Sequence, residues 1–133
     1  LLVPTRIYVR SCLPLLRDGS VKAAAHITGG GLPGNLARVL PDDASAQIDS
    51  GAWKIPPVFR WLQATGKVPA EDMFRTFNCG IGLTLVVAAA AAARIAAAAT
   101  KAGEQVCTLG RIVKRAAGME PVEILAPEAP WRS

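Results

Sequence analysis

The 133-residue sequence has few of the side chains that build metal sites and disulfide frameworks. It contains a single histidine, His26, and three cysteines, Cys12, Cys79 and Cys107, none of them in a Cys-x-x-Cys pair. Structural zinc sites use four closely spaced Cys or His ligands, so we expect no metal site. Widely spaced cysteines in odd number favour reduced thiols and a cytoplasmic location. No base can be paired with Cys79 from the sequence, so we interpret it as an inert thiol.

Long apolar runs are also lacking. The longest one, from Ile81 to Ala93, is interrupted by Arg94 and falls short of the roughly 20 apolar residues that span a bilayer. The first residues include Arg6 and Arg10, unlike the apolar core of a signal peptide. We therefore expect no membrane partner. The sequence starts without methionine, which favours a piece of a longer protein.

Charge is modest and scattered. Charged residues make up 19% of the chain, the formal net charge is +5, and the only adjacent basic pair is Lys114-Arg115. Nucleic-acid binding usually shows a basic run or stripe, so we expect no nucleic-acid partner. An excess of scattered basic residues is typical of a solvated surface and equally suits a small anionic ligand. The length fits one domain with its own core.

The most informative stretch is a run of three glycines, Gly29, Gly30 and Gly31, directly after His26-Ile27-Thr28. Alternation from Val21 to Ile27 predicts a strand before it, and apolar spacing from Leu32 to Leu40 predicts a helix after it. Glycines permit positive φ and close backbone approach, and the free N–H groups of a helix start favour an anion. The order predicts a phosphate site, although a tight turn without a ligand would give the same pattern.

Strand parity places His26 and Thr28 on the same side, at the carboxyl end of the predicted strand. Ligands in open α/β layers collect at such ends. A single histidine also often serves only as a hydrogen-bonded structural residue. We therefore take His26, Thr28, Gly29, Gly30 and Gly31 as candidate substrate- or phosphate-binding residues, and no residue is assigned to a chemical step.

Outside this stretch, strands and helices alternate without a repeat, which predicts an α/β (α+β) fold with a mixed sheet of four to five strands. The other predicted helices are a first one kinked or shortened by Pro14, one from Pro56-Pro57 capped by Gly66, a short one from Glu71 and an alanine-rich one at 88–99. The other predicted strands lie at 44–48, 81–87 and 106–113. We expect a bulge at Gly110 in the last of these strands, pairing of that strand with 120–125, and a frayed tail at 127–133.

Three motifs occur in a fixed order along the chain: Pro4-Thr5-Arg6-Ile7-Tyr8, Ala25-His26-Ile27-Thr28-Gly29-Gly30-Gly31, and Arg75-Thr76-Phe77-Asn78-Cys79-Gly80. Between them stand Arg38-Val39-Leu40-Pro41 and Val58-Phe59-Arg60-Trp61-Leu62-Gln63. This series closely resembles the C-terminal domain of the phosphoribosylformylglycinamidine cyclo-ligase family, also called aminoimidazole ribonucleotide synthetases. The resemblance covers residues 1 to about 87, and beyond them the order of elements agrees more than the residues do.

The resemblance implies a role in purine biosynthesis. Family enzymes use ATP and Mg²⁺ to close the imidazole ring of formylglycinamidine ribonucleotide, and they are homodimers. It implies a three-layer α/β/α, partly ferredoxin-like domain at 1–126, a tail at 127–133, and a separate N-terminal ATP-binding domain that is absent from this sequence. Arg6 and Asn78 lie within the shared motifs and join the candidate substrate- or phosphate-binding residues.

Two other functions fit parts of this pattern. One is a stand-alone module that binds a phosphorylated ligand without turnover. The other is the related group of selenophosphate synthetases and hydrogenase-maturation enzymes, which lack the series Arg75 to Gly80. For a chain that docks on an N-terminal domain, we expect an exposed apolar surface near the aromatic residues Trp53, Phe59 and Trp61.

Overall fold

The computed structural model describes residues 4–131, so the ends of the predicted domain and tail, 1–3 and 132–133, lie outside the described residues. The elements in chain order are α1 Val9–Arg17, β1 Val21–His26, α2 Gly31–Ala37, β2 Ala44–Asp49, α3 Pro57–Gly66, α4 Ala70–Thr76, β3 Leu83–Val87, α5 Ala89–Lys101, β4 Gly110–Lys114, β5 Val122–Leu125 and a 3₁₀ turn Ala129–Trp131. The mixed α/β class predicted from the sequence is confirmed. Over the described range, no helix is long and apolar enough to cross a membrane.

The strands form two sheets rather than the single sheet that the sequence predicted. β1 and β3 pair antiparallel, while β2 lies between β4 and β5, antiparallel to β4 and parallel to β5. The prediction that the last two strands pair with each other is therefore wrong. The connection between them, residues 115–121, is long enough to carry the chain across β2 to its other edge.

The largest core lies between the inner faces of the two sheets, and α2 fills it. Its buried members are Ala25, Ile27, Leu32, Leu36, Ala46, Ile48 and Val122. Burying a leucine or isoleucine side chain stabilises the fold by about 1.5–3 kcal/mol. Leu32 and Leu36 are fully or nearly fully buried, so their packing fixes the position of α2 and of the glycine loop that leads into it.

The opposite face of the β1–β3 sheet is covered by α1 and the alanine-rich α5. Leu15, Ile95 and Ala99 are buried there, against Val21, Leu85 and Val87 of the strands. Alanine has the highest helix propensity, which explains why the predicted helix at 88–99 is present as α5. Helices therefore flank this sheet on both faces, as α/β/α layering requires.

The prediction that Gly66 caps α3 is wrong, and of the two outcomes predicted for Pro14 in α1, the shortening does not occur. Pro14 lies inside α1 without ending it, because the only bond it removes is the one to the carbonyl of exposed Arg10, which water can reach. At the end of α3 the left-handed residue is Lys67, with φ 50°, one position after Gly66. Gln63 stabilises that turn by donating from its side-chain amide to the Val68 carbonyl at 3.1 Å.

Two further predictions near the C-terminus are also wrong. Gly110 pairs with Ile48 in an unbroken register, without a bulge. A Cβ at Gly110 would collide with the Gln47 carbonyl oxygen, so the glycine permits close strand approach. The tail is not frayed as far as Trp131, whose ring packs edge-on against Phe74 with centroids 5.6 Å apart.

Of the three aromatic residues expected near an exposed surface, only Trp61 is exposed, at 57%. The indole N–H of Trp53 donates to the Cys79 carbonyl at 2.9 Å, and Phe59 packs against Phe77 at 5.8 Å. Both therefore belong to the packing of the domain, and Trp61 alone remains as an aromatic surface residue of α3.

Candidate functional site

The end of β1 presents the first group of predicted site residues to solvent. His26 and Thr28 are exposed, while Ile27 between them is 2% exposed. Gly29 and Gly30 are exposed as well, and Gly31 is buried as the first residue of α2. At this end of the strand the predicted alternation is present, and four of the five residues lie on one accessible surface. At the start of the strand it is broken, because a register shift between Val21 and Ala23 puts Val21 in the core on the opposite face.

Position 31 requires a glycine because neighbouring backbone atoms leave no room for a side chain. Its φ is +59°, and a Cβ there would collide with the carbonyl oxygen of Phe74 in α4. The carbonyl oxygen of Phe77 would lie 2.9 Å from the same Cβ. The close approach that the sequence suggested for a ligand is used here to bring the end of α4 against the loop.

Asn35, which the sequence reasoning missed, fixes the conformation of the loop from inside. It is 6% exposed, and its Nδ2 donates to the carbonyls of Thr28 at 3.3 Å, Gly29 at 3.1 Å and Gly31 at 2.8 Å. The Thr28 hydroxyl donates back to the Asn35 Oδ1 at 3.3 Å. The available signal was an asparagine, a poor helix former, one turn into a predicted helix.

This arrangement determines where the loop amides point. In a trans peptide the C=O and N–H of one unit point in opposite directions, and all peptide bonds of the described residues are trans. Because the carbonyls of Thr28 and Gly29 point inward to Asn35, the N–H groups of Gly29 and Gly30 point outward. The N–H of Gly31 instead donates to the Thr28 carbonyl at 3.0 Å. Two adjacent outward amides can both donate to one anion.

The third motif lies beside this loop as a tight turn. The Oδ1 of half-buried Asn78 accepts the Gly80 N–H at 3.0 Å, and Cys79 and Gly80 have φ values of 48° and 100°. Asn78 thus uses one side-chain oxygen to hold its own turn. Cys79 is fully buried, its Sγ lies 3.5 Å from the Met73 carbonyl oxygen, and burial raises the pKa of its thiol to about 12. A thiol in that state is a poor nucleophile.

The first motif reaches the same place through Tyr8. Its ring packs edge-on against His26, with centroids 6.1 Å apart and an interplanar angle of 68°. Its hydroxyl lies against Gly82, where a Cβ would collide with it. The Gly82 carbonyl in turn accepts the Ile27 N–H at 2.9 Å. The three motifs, far apart along the chain, therefore meet around the end of β1.

Arg6, two residues before Tyr8, is held by two contacts with the loop after α5. Its Nε lies 2.7 Å from the Glu104 Oε2, and its Nη2 donates to the Gly103 carbonyl at 3.0 Å. The Arg6 side chain keeps 56% exposure, so part of the guanidinium faces solvent. Of the seven predicted residues, Gly31 therefore lies inside the fold, and the side chains of Arg6, Thr28 and Asn78 are already hydrogen-bonded.

Comparison with known families places the chain in one of them. The family model described as "AIR synthase related protein, C-terminal domain" matches residues 1–120. The chain belongs to the AIR synthase related family. The match extends past Val87 through α5 and β4, the part in which the sequence resemblance was weakest. Members of this family, which includes aminoimidazole ribonucleotide and selenophosphate synthetases, are enzymes that use ATP and Mg²⁺.

The residues of this AIR synthase related domain fit a phosphate better than they fit a metal ion. Within 4–131, no group of three or more His, Cys, Asp or Glu side chains is placed to hold a metal. The outward amides of Gly29 and Gly30 and the exposed ring of His26 are, by contrast, hydrogen-bond donors suited to a phosphate oxygen.

Proposed function

We propose that this chain is the C-terminal half of an ATP-dependent cyclo-ligase. The full-length enzyme would convert formylglycinamidine ribonucleotide into aminoimidazole ribonucleotide, with release of ADP and phosphate. The observation that carries the proposal is the meeting of the Arg6–Tyr8, His26–Gly31 and Asn78–Gly82 segments at one end of β1. Family membership supports the use of ATP, and the Arg75–Gly80 series favours the cyclo-ligase over the selenophosphate synthetases.

In this proposal the ribose 5-phosphate or another anionic part of the substrate binds the glycine loop. The amides of Gly29 and Gly30 donate to a phosphate oxygen, and His26 donates from its ring N–H. Arg6 adds positive charge from the other side of Tyr8. The net charge of +5 favours association with an anionic substrate. Asn35 contributes by keeping the loop carbonyls away from the anion.

ATP and Mg²⁺ are assigned mainly to an N-terminal domain of the same protein, and the full-length enzyme is assigned as a cytoplasmic homodimer. This division means that the 133-residue chain alone brings only one reactant into place. Since holding two reactants together supplies a large part of the rate enhancement, we expect no cyclo-ligase activity from the chain by itself.

The test is an assay of the full-length protein for ADP release. We expect release that depends on formylglycinamidine ribonucleotide and that is absent when selenide replaces it. Turnover with selenide alone would assign the protein to the selenophosphate group. Binding of the nucleotide without any ADP release would identify a binding module and contradict the cyclo-ligase assignment.

A further inference from the structure

Glu104, in the loop between α5 and β4, is a nearly buried carboxylate with both oxygens in use. Its side chain is 11% exposed. Oε1 accepts the Ser11 hydroxyl at 2.6 Å, and Oε2 accepts the Arg6 Nε at 2.7 Å. Its backbone N–H donates to the Ala99 carbonyl at 3.1 Å, which fixes the loop to the end of α5. A carboxylate is retained in such a place only when its oxygens are paired.

Both partners of Glu104 come from one short segment, and Tyr8 lies between them. Tyr8 is the N-cap residue of α1, yet it makes no side-chain cap hydrogen bond. The start of α1 is held instead by Arg6 before Tyr8 and by Ser11 after it. Ser11 also lies 3.0 Å from the Tyr8 carbonyl oxygen. The carboxylate therefore fixes the turn that carries Tyr8 from both sides.

The His26 ring is contacted by Tyr8. Within the described residues, the His26 side chain has no hydrogen bond, and its recorded ring contact is the edge-on one with Tyr8. The hydroxyl of Tyr8 is stopped by Gly82 on the far side. A shift of Tyr8 would therefore release the imidazole from the position it has beside the glycine loop.

We propose that Glu104 is a positioning residue that acts through Arg6 and Ser11 to hold Tyr8 against His26. The inference rests on the proposed function in one respect, since it gives the orientation of His26 a role in substrate binding. Glu104 itself touches neither the glycine loop nor a ligand. It lies outside the three sequence motifs, 98 residues after Arg6 and 93 after Ser11.

The ionisation of the cluster agrees with this geometry. The Ser11 hydroxyl, and after it Arg6, hold the pKa of Glu104 below its usual range, so the carboxylate is charged at neutral pH. Burial, and after it the Glu104 charge, raise the pKa of Tyr8 above its ordinary value. Replacing Glu104 by a neutral residue is therefore expected to lower the Tyr8 pKa, which a near-ultraviolet titration reads directly.

The positioning role is testable without a ligand, because His26 and Tyr8 are the only histidine and the only tyrosine of the chain. In nuclear magnetic resonance spectra of the 133-residue chain, Glu104→Ala should shift the His26 ring-proton signals as the Tyr8 ring moves away. Glu104→Gln, which keeps an oxygen for Ser11, should give a smaller shift. Circular dichroism establishes that each variant is folded, and Ser11→Ala replaces Glu104→Ala if the latter is not.

The matched control is Glu123→Ala on β5, which removes an exposed acid that contacts Gln47 at 3.1 Å on the outer sheet face. We expect no change in the His26 signals from this variant. Unchanged His26 signals in a folded Glu104→Ala or Ser11→Ala chain would overturn the positioning role. This outcome is independent of which reaction the protein catalyses.

The functional consequence is measured in the full-length protein. Glu104→Ala should raise the KM for formylglycinamidine ribonucleotide roughly tenfold, the size of one lost charged hydrogen bond, and leave the KM for ATP unchanged. Glu104→Gln should recover most of the loss. A wild-type KM in Glu104→Ala would overturn the inference and leave the cyclo-ligase proposal standing. A wild type without turnover would remove the cyclo-ligase proposal, while the His26 signals still decide the role of Glu104.

Discussion

The glycine loop with α2 and the alanine-rich helix α5 pack on opposite faces of the β1–β3 sheet, and they are constrained in opposite ways. In the loop the backbone is constrained directly, since Gly31 has no room for a Cβ and Asn35 bonds three carbonyls. Along α5 only Ile95 and Ala99 are buried. The comparison teaches that backbone geometry holds the glycine loop and α2 in place on one face of the sheet, whereas a few buried side chains hold α5 on the other face.

The largest effect should come from adding a methyl group at Gly31. Gly31→Ala combines a positive φ with a collision against the Phe74 carbonyl, so we expect a loss of roughly 2–6 kcal/mol, the sum of backbone strain and overpacking. Gly118→Ala is the matched control, because Gly118 also has a positive φ, +83°, but no atom near its Cβ position. It should cost about 1–2 kcal/mol. Equal losses of the two variants in urea unfolding would contradict the loop geometry.

A smaller but still large effect is expected where α5 is tied to the sheet. Ile95→Ala removes the main buried side chain of this helix and should cost about 2–5 kcal/mol. Ala97→Ser, at an exposed position of the same helix, should stay within about 0.5 kcal/mol. Thermal unfolding of both variants decides the point. Equal stability of the Ile95→Ala and Ala97→Ser variants would show that the buried contacts of Ile95 do not hold α5 on the sheet.

Asn35 combines the two kinds of constraint, because its side chain fixes the backbone of the glycine loop. Asn35→Ala leaves inward carbonyls unpaired and should cost about 1–3 kcal/mol in urea unfolding. Asn35→Asp should be worse, because an ionised carboxylate has no donor for three carbonyls. Gln47→Ala, which removes an amide from the outer sheet face, is the control and should have little effect. An Asn35→Asp chain as stable as the wild type would refute the role of the amide.

The effect that is smallest at neutral pH comes from Cys79 and appears only in alkaline solution. The pKa of the Cys79 thiol is raised from 9.0 to about 12 by burial, so the folded state keeps this proton after the unfolded state has lost it. The thiol's contribution to stability is therefore complete below about pH 9 and is lost as the pH rises toward 12. Urea unfolding of the wild type should weaken over this range more steeply than that of Cys79→Ala. Parallel pH profiles would show that Cys79 is not the group responsible.

Local features of this fold were predictable from the sequence because their causes are local. Alternation predicted β1, alanine content predicted α5, and the glycines predicted the turn between β1 and α2. The mixed α/β class followed from the order of these elements. Even so, the reason for Gly31 was not predictable, because the group that it approaches, the Phe74 carbonyl, lies 43 residues further along the chain.

The features that the sequence did not predict depend on contacts between distant residues. The pairing of β5 with β2 rather than β4 is set by how the chain crosses the sheet. Glu104 shows no local pattern at all, since its partners are Arg6 and Ser11. Asn35 bonds carbonyls four to seven residues before it, but these targets become visible only once the loop conformation is known. The sequence motifs thus identified the candidate site residues, whereas only the structure identified Asn35 and Glu104, which hold the site residues in position.

The most direct test of the central claim, that the glycine loop binds the substrate, is the affinity of full-length Gly30→Val for formylglycinamidine ribonucleotide. Gly30 has a φ of +95°, and its Cβ position is 3.7 Å from the nearest atom, so the variant can fold with a strain of roughly 1–3 kcal/mol. The branched side chain would stand beside the outward amides. Thr28→Ala should be milder, at about 1 kcal/mol, and Gly118→Val controls for strain alone.

We predict that Gly30→Val, shown to be folded by circular dichroism, binds the nucleotide substrate much more weakly than the wild type. Gly118→Val should bind it normally. Unchanged affinity of folded Gly30→Val for both the nucleotide substrate and ATP would contradict the account and reduce the loop to a structural turn.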